Sequence, residues 1–224
     1  LGEGLDQVVD KEFEHLKELD LLQPNTLIIH GIALKENDIK ECADKGTSIC
    51  WCPFSNNFLI GETLNIEACL RYDVNTVLGT DSTLSGSINL LEEIRFAKRI
   101  HPDIKTEQLY RMVTVNAQKA LFLPTSYGTL SENANKNVLL VQTKHQDPYE
   151  SLLQTETDDI VLLLHEGQPI MGQSEILRYF QITDSDYYFY RKHGTGYFVI
   201  GQPQQIMEKI NSIIKQTFFL HQDG

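Results

Sequence analysis

The chain of 224 residues has no long apolar run and no excess of positive charge. Its longest apolar segment, residues 160–164, is far shorter than the roughly 20 residues that a membrane helix needs. The formal net charge of −12 would repel nucleic acid and anionic membranes. The first residues are acidic and lack the basic segment and apolar core of a signal peptide. We therefore expect a cytoplasmic protein that acts on a small molecule, with no nucleic-acid or membrane partner.

The sequence has four cysteines and lacks the C-x-x-C spacing of a zinc knuckle or a redox motif. They are Cys42, Cys50, Cys52 and Cys69, and all fall in segments that read as helices or strands. Free cysteine is among the most buried residue types, so plain buried thiols are expected. Cys50 and Cys52 flank Trp51 on a predicted strand, and from the alternation of faces we expect at most one of them to point into any one pocket.

The first half of the chain alternates apolar strands with single helices. The pattern predicts strands at 26–30, 48–51 and 75–78 and helices near 9–16, 37–45, 64–72, 89–100 and 106–121. Short strands that are apolar on both faces and separated by helices are typical of a parallel sheet covered by helices. We therefore predict an α/β region over residues 1–124. Its roughly three β-α units are too few for a closed barrel of eight units, which needs about 250 residues.

The second half, residues 125–224, has a different pattern. Short strands are predicted at 138–141, 160–164, 169–171 and 197–200, with a hairpin connection at 166–168 and an amphipathic helix near the end. The aromatic run 187–190 is interpreted as sheet packing rather than as a ligand site. This half is therefore predicted to be a small β-rich element followed by a carboxyl-terminal extension.

Two ionisable residues lie where predicted strands end: His30 closes the first strand and Asp81 follows the third. In parallel α/β proteins the catalytic groups lie beyond the carboxyl ends of the strands, where the loops converge. We therefore expect both residues on one rim of the sheet. Each has a structural alternative, since Asp81 can hydrogen-bond amides of its own turn and His30 can be a satisfied core histidine.

An acid and an imidazole on one rim indicate metal-assisted hydrolysis. A carboxylate that holds a divalent ion can also accept a proton from water whose pKa the ion lowers toward about 7. A neutral histidine nearby can hold that water or polarise the substrate. Because a catalytic zinc usually has three protein ligands and a water, further ligands are expected elsewhere.

Four motifs in order make the chain resemble the amidohydrolase superfamily. They are HGIAL at 30–34, WCPFSN at 51–56, LGTDS at 78–82 and LLEEIR at 90–95. The resemblance extends from Leu1 to about Met171. It is closest to the branch that contains the chlorohydrolases and the aminohydrolases that deaminate nucleobases, nucleosides and triazines.

The resemblance implies a partial (β/α)₈ TIM barrel, formed by the later strands and helices, with a small composite β-sandwich element and one zinc or iron ion. It implies that His30 contacts the metal-bound water or the substrate, and that Asp81 is both a metal ligand and the proton acceptor. Glu3 would be the acid that protonates the leaving group. Asn56 is a candidate to line the substrate pocket, with a helix or turn cap as its structural alternative.

The chain also departs from the family pattern. It contains no His-x-His pair, and the expected fifth-strand histidine would fall immediately before Leu1. The simplest interpretation is the carboxyl-terminal portion of a longer hydrolase that acts on a C–N bond other than a peptide bond, in a cyclic amide or an amino-substituted heterocycle. We expect such a fragment to retain the metal poorly and to be inactive alone.

Two further expectations concern assembly and the alternative function. A partial barrel leaves apolar strand edges unpaired, which favours a homo-oligomer. The alternative to an enzyme is a non-catalytic binding or scaffold protein that keeps the amidohydrolase fold. A His-x-His pair and a histidine directly before Leu1 in the upstream coding region would favour the enzyme.

Overall fold

The computed structural model describes residues 1–5, 8–132, 136–182 and 184–214. The chain divides into two compact units, one formed by Leu1–Asn135 with Lys144–Gln154 and the other by Lys136–Thr143 with Thr155–Gly224. Compared with the predicted regions 1–124 and 125–224, the segment 144–154 returns to the first unit. That the regions 1–124 and 125–224 are independent domains stays a prediction.

The first unit is built on a parallel sheet of three strands. These are β1 (Leu27–Ile29), β2 (Ser48–Trp51) and β3 (Thr76–Leu78), which pair in the order β1-β2-β3. The helices are α1 (Glu12–Glu18), α2 (Glu36–Lys45), α3 (Pro53–Ile60), α4 (Ile66–Arg71), α5 (Leu90–Ile100), α6 (Thr106–Met112), α7 (Val115–Ala120) and α8 (Pro148–Leu153). The predicted α/β arrangement with parallel strands is therefore confirmed.

One face of this sheet packs on the helices and forms the main core. The strands contribute Ile28, Ile49, Trp51 and Leu78, and the helices contribute residues that include Ile39, Cys69, Ile94 and Leu109. Ile49 and Trp51 are fully buried. The burial of these apolar side chains is the main force that holds the helices on this face.

The other face of the sheet is covered more thinly. Its cluster consists of Cys50, Cys52 and Val77 with Ala120 of α7, and Leu27 and Ala117 pack against it. Ile29, which the alternation along β1 places on this face, is 46% exposed. Parallel sheets are usually covered on both faces, whereas the described residues cover this face only in part.

Two helix predictions differ from the structure. The helix predicted over 106–121 is split into α6 and α7, because Thr114 takes a non-helical conformation with φ −127° and ψ −100°. Helix α3 was not predicted. Its signals are Pro53 in the first turn and Gly61, whose φ of 78° ends the helix in the left-handed region.

The second unit contains an antiparallel sheet. Its strands are β4 (Val138–Val141), β5 (Ile160–His165), β6 (Gln168–Gln173), β7 (Tyr187–Lys192) and β8 (Thr195–Ile200), in the order β4-β5-β6-β8-β7. The helix α9 (Pro203–Ile214) follows. The predicted hairpin is confirmed by Glu166 and Gly167, whose φ values of 51° and 82° suit a tight turn between β5 and β6.

The aromatic run of the second unit lies on β7 and packs within the sheet. Tyr188 stacks on Tyr190, and Tyr190 stacks on Tyr197 of β8 with a distance of 5.4 Å between ring centroids. In its described residues the strands of this unit form one sheet. The composite β-sandwich that the family resemblance implies therefore stays a prediction.

Among the described residues, none of the helices has both the length and the apolar character needed to cross a bilayer. The cytoplasmic location stays a prediction.

Candidate metal centre

His30 and Asp81 lie at the same edge of the parallel sheet, after β1 and β3, with β2 between them. The backbone N–H of His30 donates to the carbonyl of Cys50 at 2.9 Å, which continues the pairing of β1 with β2. The N–H of Gly79 donates to the carbonyl of Trp51 at 3.0 Å and extends β3 toward Asp81 in the same way. Because the strands are parallel, both residues leave the sheet at its carboxyl edge.

Three side chains meet at this edge: Glu3, His30 and Asp81. One ligand atom from each residue lies within 4.8 Å of the others, and together they could hold a metal ion. The His30 Nε2 atom is 3.6 Å from Glu3 Oε2. His30 is buried, with 8% of its surface exposed, whereas Glu3 and Asp81 are exposed. The cluster is therefore open to solvent on its acidic side.

Glu3 reaches the cluster because the start of the chain runs beside the segment that follows β1. The N–H of Gly31 donates to the carbonyl of Leu1 at 2.9 Å, and the N–H of Ala33 donates to the carbonyl of Gly2 at 3.1 Å. These two bonds place the Glu3 side chain over the carboxyl edge of the sheet.

The backbone of both predicted site residues is in the left-handed region. The φ angle is 71° at His30 and 56° at Asp81. Residues other than glycine seldom adopt this conformation, although histidine and aspartate do so more often than most. Such conformations persist where the surrounding structure fixes them, and they concentrate at functional sites.

Asn56 fixes the orientation of the His30 ring. Its Oδ1 atom lies 2.8 Å from His30 Nδ1, and its Nδ2 atom donates to Thr63 Oγ1 at 3.3 Å. Trp51 Nε1 also donates to Thr63 Oγ1, at 2.7 Å. With the Asn56 carbonyl accepting the Nδ1 hydrogen, the Nε2 lone pair of His30 faces the carboxylates.

This contact differs from the pocket-lining position that the sequence suggested for Asn56. The side chain lies in α3 and is only 1% exposed. It contacts His30 because α3 begins directly after β2, which lies between the two site strands. The physical reason for the difference is that the residues after β2 turn inward as a helix instead of forming an open loop.

Glu93, which was not identified from the sequence, binds the first turn of α3. Its Oε1 atom accepts the backbone N–H of Phe54 at 2.9 Å, and the residue is fully buried. Burial raises the pKa of the Glu93 carboxyl. The sequence signal that could have predicted the burial of Glu93 is its spacing. It lies four residues before the buried Ala97 on α5, so the two residues share one face of the helix.

Replacing Asn56 with leucine is expected to lower the free energy of unfolding by about 1–3 kcal/mol, because His30 Nδ1 would be left buried without its partner. Urea denaturation of the purified chain measures this difference. Asn57→Leu is the matched control, since the neighbouring Asn57 side chain is exposed and should change stability by no more than about 0.5 kcal/mol. Equal stability of the two variants would contradict the orienting role of Asn56.

Comparison with known proteins identifies the family. The model of the amidohydrolase family matches residues 6–174, in agreement with the predicted extent of the resemblance. A 5-methylthioadenosine/S-adenosylhomocysteine deaminase of Pyrococcus abyssi is 30% identical over 177 residues, which cover 72% of this chain and 41% of that protein. A 5'-deoxyadenosine deaminase of Methanosphaera stadtmanae is 24% identical over 180 residues, covering 74% of this chain and 42% of that protein.

Solved structures share the fold. An adenosine deaminase from Xanthomonas campestris with bound zinc superposes with a TM-score of 0.66 at 21% identity, covering 75% of this chain and 43% of that one. Guanine deaminase of E. coli gives a TM-score of 0.66 at 17% identity, covering 76% of this chain and 47% of that one.

The chain spans about two fifths of the length of the curated relatives described above, at 41% and 42%. These shares do not locate the matched part within the relatives, so the assignment to a carboxyl-terminal portion stays a prediction. The family match covers most of the chain, from residue 6 to residue 174, and it includes both strand ends that carry the cluster. The chain belongs to the amidohydrolase family.

Proposed function

We propose that the chain is part of a metal-dependent hydrolase that cleaves a C–N bond other than a peptide bond, in an amino-substituted heterocycle or a cyclic amide. The observation that carries this proposal is the meeting of Glu3, His30 and Asp81 at the carboxyl edge of a parallel sheet. Deaminases of adenosine derivatives among the relatives support the reaction class. Their likeness also supports a partial (β/α)₈ barrel as the architecture of the first unit.

The donor set of the cluster fits a divalent ion such as zinc or iron. Two carboxylates and one imidazole nitrogen are common ligands of these metals. Asp81 would hold the ion, with His30 beside the water or the substrate, and the ion would supply Lewis-acid chemistry at the edge of the sheet. The exposure of Glu3 and Asp81 leaves room for a small-molecule substrate beside them.

Each of the three residues has a part in the proposed reaction. Asp81 accepts a proton from the attacking water, and the His30 ring, oriented through Asn56, hydrogen-bonds the water or the substrate. Glu3 donates a proton to the leaving nitrogen. For an amino-substituted ring, one water is consumed, the C–N bond breaks, a C–O bond forms and ammonia leaves.

The cluster is incomplete as a catalytic metal site. With Glu3 as the acid and His30 beside the water or the substrate, Asp81 alone of the three is a ligand, whereas a catalytic zinc usually has three protein ligands. We propose that residues outside this chain supply the rest, and that the chain alone binds metal weakly and does not turn over substrate. The outer strand β3 and the segment 1–2 that runs beside β1 are the edges at which further strands, or a second copy in a homo-oligomer, would pair.

The test is to measure ammonia release and metal content for this chain and for the protein as its gene encodes it. The substrates to offer are methylthioadenosine, S-adenosylhomocysteine, adenosine and guanine. We expect turnover of at least one by the gene-encoded protein and none by the chain alone. Turnover and stoichiometric zinc in the chain alone would contradict the fragment proposal.

The incomplete ligand set also favours a second candidate, a non-catalytic binding or scaffold protein that retains the fold. It would be supported if the gene-encoded protein holds no metal and releases no ammonia from any of the four compounds. Zinc at one equivalent together with turnover would exclude it.

A further inference from the structure

Two thiols lie side by side on the thinly covered face of the parallel sheet. The Sγ atoms of Cys50 and Cys52 are 4.0 Å apart, and the residues are 9% and 2% exposed. The expectation that at most one of them points into a given pocket is wrong. Residues two apart along an extended chain lie on the same face of the sheet.

The distance between the two sulfur atoms suits a bridging metal ion. With Zn–S bonds of about 2.3 Å, two thiolates on a tetrahedral ion are roughly 3.8 Å apart, and on a linear ion they are roughly 4.6 Å apart. The observed 4.0 Å lies between these values. The two sulfur atoms are therefore within reach of one ion.

The neighbouring strand leaves space for both thiols at Gly79. A Cβ atom at that position would lie 2.6 Å from the Sγ atom of Cys50 and 3.2 Å from that of Cys52. The backbone of Gly79 is outside the left-handed region, so its conformation does not require glycine. The absent side chain instead makes room for the sulfur atoms.

The electrostatic surroundings favour a cation beside these thiols. The hydrogen bond between the thiols and then burial shift their pKa values most, and the carboxylates of Asp81 and Glu93 add smaller rises at both Cys50 and Cys52. The negative charge of these carboxylates disfavours a thiolate, but it attracts a metal ion that binds to the thiolate. The hydrogen bond between the thiols lowers the pKa of Cys50 and raises the pKa of Cys52, because a Cys50 thiolate would accept the remaining S–H.

The other two cysteines provide an internal contrast. Cys42 and Cys69 are fully buried in the main core, where burial raises the pKa of each thiol to about 12. They behave as core side chains.

We propose that Cys50 and Cys52 form a dithiol site that binds a thiophilic d¹⁰ metal ion. The two thiols release two protons and form two sulfur–metal bonds, with no change of oxidation state. Soft thiolate ligands select ions of this class over magnesium and calcium. None of Glu3, His30 and Asp81 is a ligand of this site, and it does not depend on the proposed hydrolase activity.

The experiment is a titration of the purified, reduced chain with cadmium, followed by the ultraviolet charge-transfer band of cadmium–thiolate bonds. We expect a band that saturates near one cadmium per chain, and a loss of about 10- to 100-fold or more in affinity for Cys50→Ser and for Cys52→Ser. The double variant Cys42→Ala with Cys69→Ala is the matched control and should keep the band. Circular dichroism checks that each variant is folded.

Gly79→Ala provides a second test that keeps all four thiols. The added methyl group would displace the Cys50 sulfur, so we expect about tenfold weaker cadmium binding. No band in the unmodified chain, or an unchanged band in the folded Cys50→Ser variant, would overturn the proposal. Because carboxylate and imidazole ligands give no thiolate band, a failure here is distinct from a failure of the hydrolase proposal.

Discussion

Replacing Asp81 with asparagine is expected to lower kcat of the gene-encoded protein by roughly 10²- to 10⁴-fold, because the proposed proton acceptor is lost. Asparagine tolerates the left-handed backbone at this position, where φ is 56°. The fold should therefore survive while the chemistry does not. The measurement is the steady-state rate of ammonia release, with metal content determined on the same sample.

Asp73→Asn is the matched control for this substitution. Asp73 is also exposed and left-handed, with φ 55°, but it precedes β3 and so lies at the opposite edge of the sheet. Its replacement should leave kcat and metal content unchanged. If Asp81→Asn retains the rate of the Asp73→Asn control, Asp81 is not the proton acceptor.

Replacing Trp51 with alanine is expected to lower the free energy of unfolding by about 3–5 kcal/mol, the usual cost of truncating a large buried aromatic residue. Trp51 is fully buried, it contacts the His101 ring edge-on with 5.5 Å between centroids, and it donates to Thr63. Typical domains are stable by only about 5–15 kcal/mol. The loss would therefore remove a large part of the stability of the fold.

Trp51→Phe separates packing from hydrogen bonding. It retains an aromatic ring but removes the donor to Thr63, so a smaller loss, about 1–3 kcal/mol, is expected. Because the chain has a single tryptophan, urea denaturation should be followed by circular dichroism rather than by tryptophan fluorescence. An alanine variant within about 0.5 kcal/mol of the parent chain would show that Trp51 does not anchor the core.

The main features of the first unit were predictable from sequence because they depend on local patterns. Apolar runs separated by helical periodicity predict β1, β2 and β3, and parallel pairing then brings their carboxyl ends to one edge. The placement of His30 and Asp81 at that edge follows directly. Glu3 could be connected with them only through the family resemblance, because its position depends on backbone pairing between Leu1 and Gly31.

The support around His30 was not predictable in the same way. The contact of Asn56 with His30 requires α3 to fold inward, and the burial of Glu93 depends on how α5 packs against the start of α3. Both are tertiary effects that override local preference. The prediction that Cys50 and Cys52 do not share a pocket was wrong for a different reason. Their spacing alone places them on one face of any strand, so the sequence was sufficient to predict the pair.

The left-handed backbone at His30 and Asp81 also bears on the stability of the fold. A side chain other than glycine in such a conformation costs on the order of 1 kcal/mol or more. Glycine would relieve that cost at either position, and selection for stability alone would favour it. Because Asp20 and Asp73 adopt the same backbone away from the cluster, the conformation is a cost that the fold also carries elsewhere, and glycine at His30 or Asp81 should raise stability while it removes the side chain from the cluster.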